Sequence, residues 1–303
     1  MSQSRLPILT SGRLTLQLVP PLGGSIARFD YISPAGERIP CLCGVGGQEA
    51  GVLGQASFPL LPFCNRIRGG RFTFRGREIV LRPNLAGEPS PLHGQGWLSP
   101  WEVASVDAAS AELVFRHPPD EWPWAYEARQ HFALDETGLT LLLSCTNLSG
   151  EPMPCGLGQH PYFPCTPETR LDADVGSAWT IDETVLPVAK VPAEGRYSLR
   201  DRLVCGQDLD NGFGEWNGLA RIGTPGLPFR IEISSPDAHF LHLYSPPAGG
   251  VFAAEPASHA NAALNAPEEE WPALGLRVLA RGETMALTMR IETVAVAGSE
   301  RRP

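Results

Sequence analysis

Hydrophobic residues in this chain alternate with polar ones far more often than they recur at helical spacing. Leu14, Leu16 and Leu18 share one side of residues 13–18, with Thr15 and Gln17 between them. A period of two marks a half-buried strand. The same period puts Met285, Leu287, Met289 and Ile291 on one face of a last strand. Residues 25–32, 101–106, 112–115, 231–233 and 240–244 also read as strands. Residues 126–134 and 139–145 read as a hairpin turning at 135–138. Phe72 and Phe74 alternate with polar residues ahead of Arg75-Gly76, which predicts a second hairpin. Residues 43–56, rich in Gly, and residues 82–100 read as loops. Residues 168–200 give no clear pattern, and 208–213 read as a polar turn followed by an aromatic anchor. Residues 1–11 are expected to be a loose lead-in and 297–303 a frayed end.

Composition agrees with this. The chain has 303 residues with 32 Gly and 30 Pro, too many breakers for long helices. Repeats, heptads and low-complexity linkers are missing from the sequence. The expectation is one all-β domain spanning residues 1–303.

Charge and cysteine usage exclude several partners. Formal net charge is −9, so the basic footprint that nucleic acid or an anionic membrane demands is missing. The seven cysteines contain no C-x-x-C pair; only Cys41 and Cys43 are close, as C-x-C. That pattern implies neither a disulfide framework nor a zinc site, and fits reduced thiols. The first residues lack a signal-peptide core, and no apolar run is long enough to span a bilayer. A soluble, cytoplasmic protein is expected.

Candidate chemistry concentrates in a few pinned segments. Residues 154–164 read P-C-G-L-G-Q-H-P-Y-F-P. Pro161 steers His160 away from helical backbone, and Gly156 and Gly158 permit close approach. A histidine held there serves either as a proton carrier near neutral pH or as a core residue bonded to a carbonyl. His93, in L-H-G, is a second candidate. Glu255 lies in V-F-A-A-E-P-A. Apolar surroundings raise a carboxyl's pKa and improve it as a base, though a buried Glu–Arg pair reads equally well. Asn65-Arg66, near Pro59 and Pro62, supplies fixed donors suited to sugar hydroxyls. Arg66, Arg68, Arg71, Arg75 and Arg77 form a local basic cluster, for which a solvated hairpin is the bland reading. His259 is read as a site-rim or a structural residue.

Other mechanisms fit less well. The sequence has no G-x-S-x-G elbow, no G-x-G-x-x-G and no P-loop. His239 and His242 are spaced H-x-x-H, which places them on opposite faces of a strand and argues against one shared metal. Asp210 and Glu255 could be cast as a glycosidase pair, but nothing requires it.

Six segments in order carry a resemblance: F-C-N-R-I-R-G-G-R-F (63–72), L-H-G (92–94), P-W-A-Y (123–126), P-C-G-L-G-Q-H-P-Y-F (154–163), L-D-N-G-F (209–213) and E-P-A-S-H-A-N-A-A-L-N (255–265). Together they resemble the aldose 1-epimerases, or mutarotases, over nearly the whole chain. The resemblance implies a single large antiparallel β-sandwich, of the galactose mutarotase-like type, with an open sugar cleft. It implies no metal and no organic cofactor. It casts Glu255 as general base on the C1 hydroxyl and His160 as general acid on the ring oxygen. It puts His93 near those atoms and has Arg66, backed by Asn65, and Asp210 hold hydroxyls. The partner implied is a small aldose or a sugar phosphate. Gln159-His160-Pro161 replaces the N-H-S core of galactose-type members, so the chain looks closer to the branch of broadly acting and hexose-6-phosphate mutarotases. The rival reading is a non-catalytic carbohydrate-binding β-sandwich; a metal-dependent isomerase on a cupin-like barrel ranks third.

Overall fold

A computed structural model of the chain describes residues 6–45 and 48–296. About 49% is strand and 7% helix, the helical part being short 3-10 turns among the described residues. Two large antiparallel sheets dominate. A nine-stranded sheet runs from Arg202–Leu203 at one edge, through Thr284–Ala295 and Gly138–Asn147 at its centre, to Glu102–Val106 at the other edge. An eight-stranded sheet carries, side by side, Leu209–Gly214, Phe240–Ser245 and Val251–Ala257. A four-stranded sheet of Ile8–Ser11, Leu14–Val19, Ser25–Ile32 and Arg38–Cys43 joins them. This is the large antiparallel β-sandwich expected from the sequence.

The core lies between the sheets. Leu139, Leu141 and Leu143 of one sheet and Leu241, Leu243, Phe252 and Ala254 of the other belong to a single buried cluster that reaches from Leu9 to Ile291. Period-two alternation decides what remains on the outer face of the eight-stranded sheet. Phe252 and Ala254 point into the main core, so Ala253, Glu255 and Ala257 point the other way. There a second, smaller core of Phe58, Leu60, Cys64, Leu92, Trp97 and Tyr162 covers them. The chain therefore buries both faces of this sheet, and the second core forms the bed of a cleft.

The predicted strands and both hairpins are present. At Arg75-Gly76 both residues have positive φ, 51° and 76°, the signature of a type I′ turn between Arg71–Phe74 and Arg77–Val80. Residues 168–200 resolve into Arg170–Ala173, Ser177–Ile181, Pro187–Pro192 and one short 3-10 turn. Two expectations need correction. Ile8–Ser11 is a strand paired with Leu14–Val19, not part of a loose lead-in. Residues 209–213 are strand rather than turn: only Asp208, with φ 51°, turns, and Leu209 and Phe213 then face the core. Residues 1–5, 46–47 and 297–303, which include the first five residues of the expected lead-in and all of the expected frayed end, lie outside the described residues.

One long-range pin orders the bed of the cleft. The backbone N–H of Cys64 donates to His259 Nε2 at 2.8 Å, and His259 Nδ1 bonds the Ala260 carbonyl at 2.7 Å. Both ring nitrogens are thus spent on backbone, and burial pushes the imidazole down to about 4. His259 is a structural residue. Gly156 makes room for it, since a Cβ there would stand 2.0 Å from the His259 ring. Replacing Gly156 with Ala is expected to cost about 1–3 kcal/mol through overpacking. A lower urea midpoint at unchanged slope would register it; an unaltered midpoint would show that the ring is free to move.

Candidate active site

Strand register assembles the site. Within the eight-stranded sheet Gly212 pairs with His242, and His242 with Glu255. On the far side of Val251–Ala257, Gly158 pairs with Ala257 and Tyr162 with Ala253. These flanking pairs share one register, which sets His160 opposite Glu255. Pro161 has no N–H to give, so the ladder is interrupted there without moving the side chain. The next row along the same face is Asp210, Tyr244, Ala253 and Tyr162. Two rows of one sheet face thus carry His242, Glu255, His160, Asp210 and two tyrosines, most of the polar groups of the cleft.

The rest come from the covering loops. Asn65 and His93 both adopt left-handed backbone, with φ 59° and 58°. They hold each other: Asn65 N–H donates to His93 Nδ1 at 3.0 Å and His93 N–H donates to the Asn65 carbonyl at 2.9 Å. With Nδ1 accepting, the neutral ring carries its proton on Nε2. Gly94, at φ 70°, allows the close approach of this loop to Leu61, whose carbonyl oxygen a Cβ would meet at 2.0 Å.

All six residues expected from the sequence line one cavity of about 360 Å³: Asn65, Arg66, His93, His160, Asp210 and Glu255. That volume lies within the roughly 300–1,000 Å³ of small-molecule sites. His160 Nε2 and Glu255 Oε1 are 3.2 Å apart. The His160 ring stacks on Phe58 at 4.6 Å and lies 4.6 Å from Tyr162 and 5.6 Å from His93. Glu255 is 2% exposed and His160 6%.

Burial sets the electrostatics. It raises Glu255 to about 8, against the pull of His242 and Arg66, and it lowers His160 to about 3, helped by His242. It also holds His93 well below the usual imidazole range, with His160, Arg66 and His242 adding to the effect. Asp210 behaves oppositely to Glu255. Burial disfavours its charge, but the His242 hydrogen bond and the nearby His242 and Arg66 charges outweigh that and lower it. For His242, burial is outweighed by the Asp210 bond and the Glu255 and Asp210 charges, which raise it. The His242 Nε2 to Asp210 Oδ1 distance is 2.6 Å.

His242 lines the cavity too and was not expected from the sequence. It enters the cleft beside Glu255, whereas His239 is exposed ahead of the strand. Glu88 was missed as well. It accepts from Arg66 Nε at 2.8 Å and from Nη2 at 3.2 Å, while Arg66 Nη1 donates to Asn65 Oδ1 at 3.1 Å. The basic cluster does not converge. Arg68 faces Asp182 at 3.5 Å, Arg71 faces Glu78 at 3.6 Å and Arg77 faces Glu151 at 3.5 Å. Arg75 lies over Phe74 at 5.4 Å. Only Arg66 of the five reaches the cavity.

Comparison with known proteins places this arrangement. The chain is 36% identical over 260 residues to YphB, an uncharacterized protein of Escherichia coli (strain K12), covering 81% of this chain and 87% of that one. A crystal structure of an Escherichia coli K12 protein provisionally named an aldose 1-epimerase superposes with a TM-score of 0.86 at 32% identity, covering 96% of this chain and 99% of that one. A galactose mutarotase-like protein of Clostridium acetobutylicum shares the fold at a TM-score of 0.83 and 17% identity, with 95% of each chain covered. The sequence profile described as aldose 1-epimerase matches residues 19–292. With the profile spanning both large sheets and every strand of the cleft, the chain belongs to the aldose 1-epimerase family.

Proposed function

We propose that the protein is an aldose mutarotase, interconverting the α and β anomers of a sugar by ring opening and reclosure, with Glu255 and His160 as its proton carriers. The observation that carries this reading is the buried contact of 3.2 Å between an imidazole and a carboxyl at the bed of a sugar-sized cleft. Ring opening removes a proton from the C1 hydroxyl and delivers one to the ring oxygen, two atoms bonded to the same carbon. Two proton carriers in contact with each other match that spacing.

The pair needs one proton between its members. Burial favours the uncharged distribution, a protonated Glu255 beside a neutral His160. A C1 hydroxyl donating to Glu255 stabilises the carboxylate and moves the shared proton to His160. Glu255 then takes the C1 hydroxyl proton as His160 protonates the ring oxygen. The C1–O5 bond breaks and the open aldehyde forms. Rotation about C1–C2 presents the other carbonyl face, and reclosure runs the transfers backwards. Arg66, Asn65 and Asp210 hold hydroxyls, and His93 offers Nε2–H near the reacting oxygens. The chemistry as proposed moves protons only. A cytoplasmic setting suits the seven free thiols.

Glu255→Gln and His160→Ala are each expected to lower the catalysed exchange rate by roughly 10²–10⁴-fold. NMR exchange between the anomers of a freshly dissolved sugar measures it, with folding checked by circular dichroism. A near-wild-type rate in either folded variant rejects the assignment, and sugar binding without exchange in the wild type favours the non-catalytic reading.

The pH dependence follows from the proton count. Losing the pair's proton removes the acid, and adding a second removes the base. Because Glu255 is raised to about 8 and His160 lowered to about 3, kcat/KM should be level through neutrality and fall as pH rises through about 8. Exchange rates corrected for the uncatalysed reaction between pH 5 and 9 test this; a rate still climbing at pH 9 contradicts it.

A further inference from the structure

Resting on the mutarotase reading, we propose that this cleft is selective for uncharged aldoses and that Glu88 is the residue that turns sugar phosphates away. Arg66 is the sole Lys or Arg lining the cavity among the described residues, and two carboxyl groups, those of Glu88 and Asp210, stand against it, with His242 bonded to the second. Arg66 is also already occupied. Glu88 takes its Nε–H and one Nη2–H in a two-pronged ion pair, Asn65 takes an Nη1–H, and Asp210 Oδ2 stands 3.9 Å from Nη2. The Arg66 side chain is only 8% exposed, so the pair sits in a partly dry wall where charge interactions are weakly screened.

A hydroxyl and a phosphate differ in what they ask of such a wall. A hydroxyl both donates and accepts, and a guanidinium flanked by carboxylates offers both functions side by side. A phosphate dianion only accepts. To bind Arg66 it must displace Glu88 or lie against Glu88 and Asp210, and like charges so placed repel. The remaining arginines of the hairpin cannot compensate, since Arg68, Arg71 and Arg77 have carboxylate partners outside the cavity.

The test compares glucose and galactose with their 6-phosphates, by anomer exchange in NMR on the intact protein. The expected result is a kcat/KM for the neutral sugars at least about tenfold above that for the phosphates, the scale of one partly screened charge contact. Glu88→Gln keeps the shape of the side chain and removes its charge, so the ratio should narrow by about tenfold, through KM for the phosphate more than kcat. Inhibition of neutral-sugar exchange by the 6-phosphates gives a second readout that does not depend on the variant folding, and weak inhibition is expected. Phosphates turned over as well as or better than neutral sugars, tight inhibition by them, or a ratio unmoved in folded Glu88→Gln overturns the inference while leaving the mutarotase reading standing. Absence of exchange with every sugar overturns both.

Discussion

Everything in the cleft depends on the register of one strand, Val251–Ala257, buried on both faces. Its even-numbered residues complete the core between the two large sheets, and its odd-numbered residues complete the smaller core under the cleft. A slip of one residue would send Glu255 into the inter-sheet core and bring Ala254 and Pro256 to the cleft. Both exchanges lose apolar burial or leave a carboxyl among apolar side chains, so the two cores specify the register jointly. The same register, extended across Pro161, fixes His160 opposite Glu255. The His160–Glu255 contact is thus a property of the sheet rather than of a loop, which is how two groups 95 positions apart, residues 160 and 255, come to be held at hydrogen-bonding distance.

How much of this was legible depended on whether an element has one wet face. The strands near Leu14 and Met285 alternate visibly because one side meets water or a polar layer. Val251–Ala257 does not alternate, since both of its sides are dry; its glutamate stood out only as a charge in an apolar run. Ile8–Ser11 is too short for a periodic signal and owes its strand to pairing with its neighbour across Gly12. Residues 208–213 have turn composition, and the strand wins because Leu209–Gly214 lies between two others, with Leu209 and Phe213 filling the core. That the six expected residues would meet in one cavity was legible through motif order. His242 was not, because its place depends on pairing with Gly212 and Glu255, which spacing along the chain does not encode. Glu88 sits in a loop and gives no local signal at all.

The two carboxyls on the sheet face show why position rather than residue type assigns their parts. Asp210 and Glu255 occupy neighbouring rows of one buried surface, and burial penalises both charges. Asp210 receives a hydrogen bond from an imidazole held toward its charged form and lies near Arg66, so it stays ionised. Glu255 meets an imidazole that is itself pressed toward neutrality by Phe58, Tyr162 and His93 around it. It therefore retains a proton well into the neutral range. Two acids of one cleft are driven apart in this way, one toward its ionised and one toward its protonated form. His242 contributes to the separation: hydrogen-bonded to Asp210 and paired across the strands with Glu255, it favours both charges, with Arg66 helping it outweigh burial at Asp210 but not at Glu255. Without that asymmetry the cleft would hold either two ionised carboxylates and no resting proton, or two neutral acids and no base.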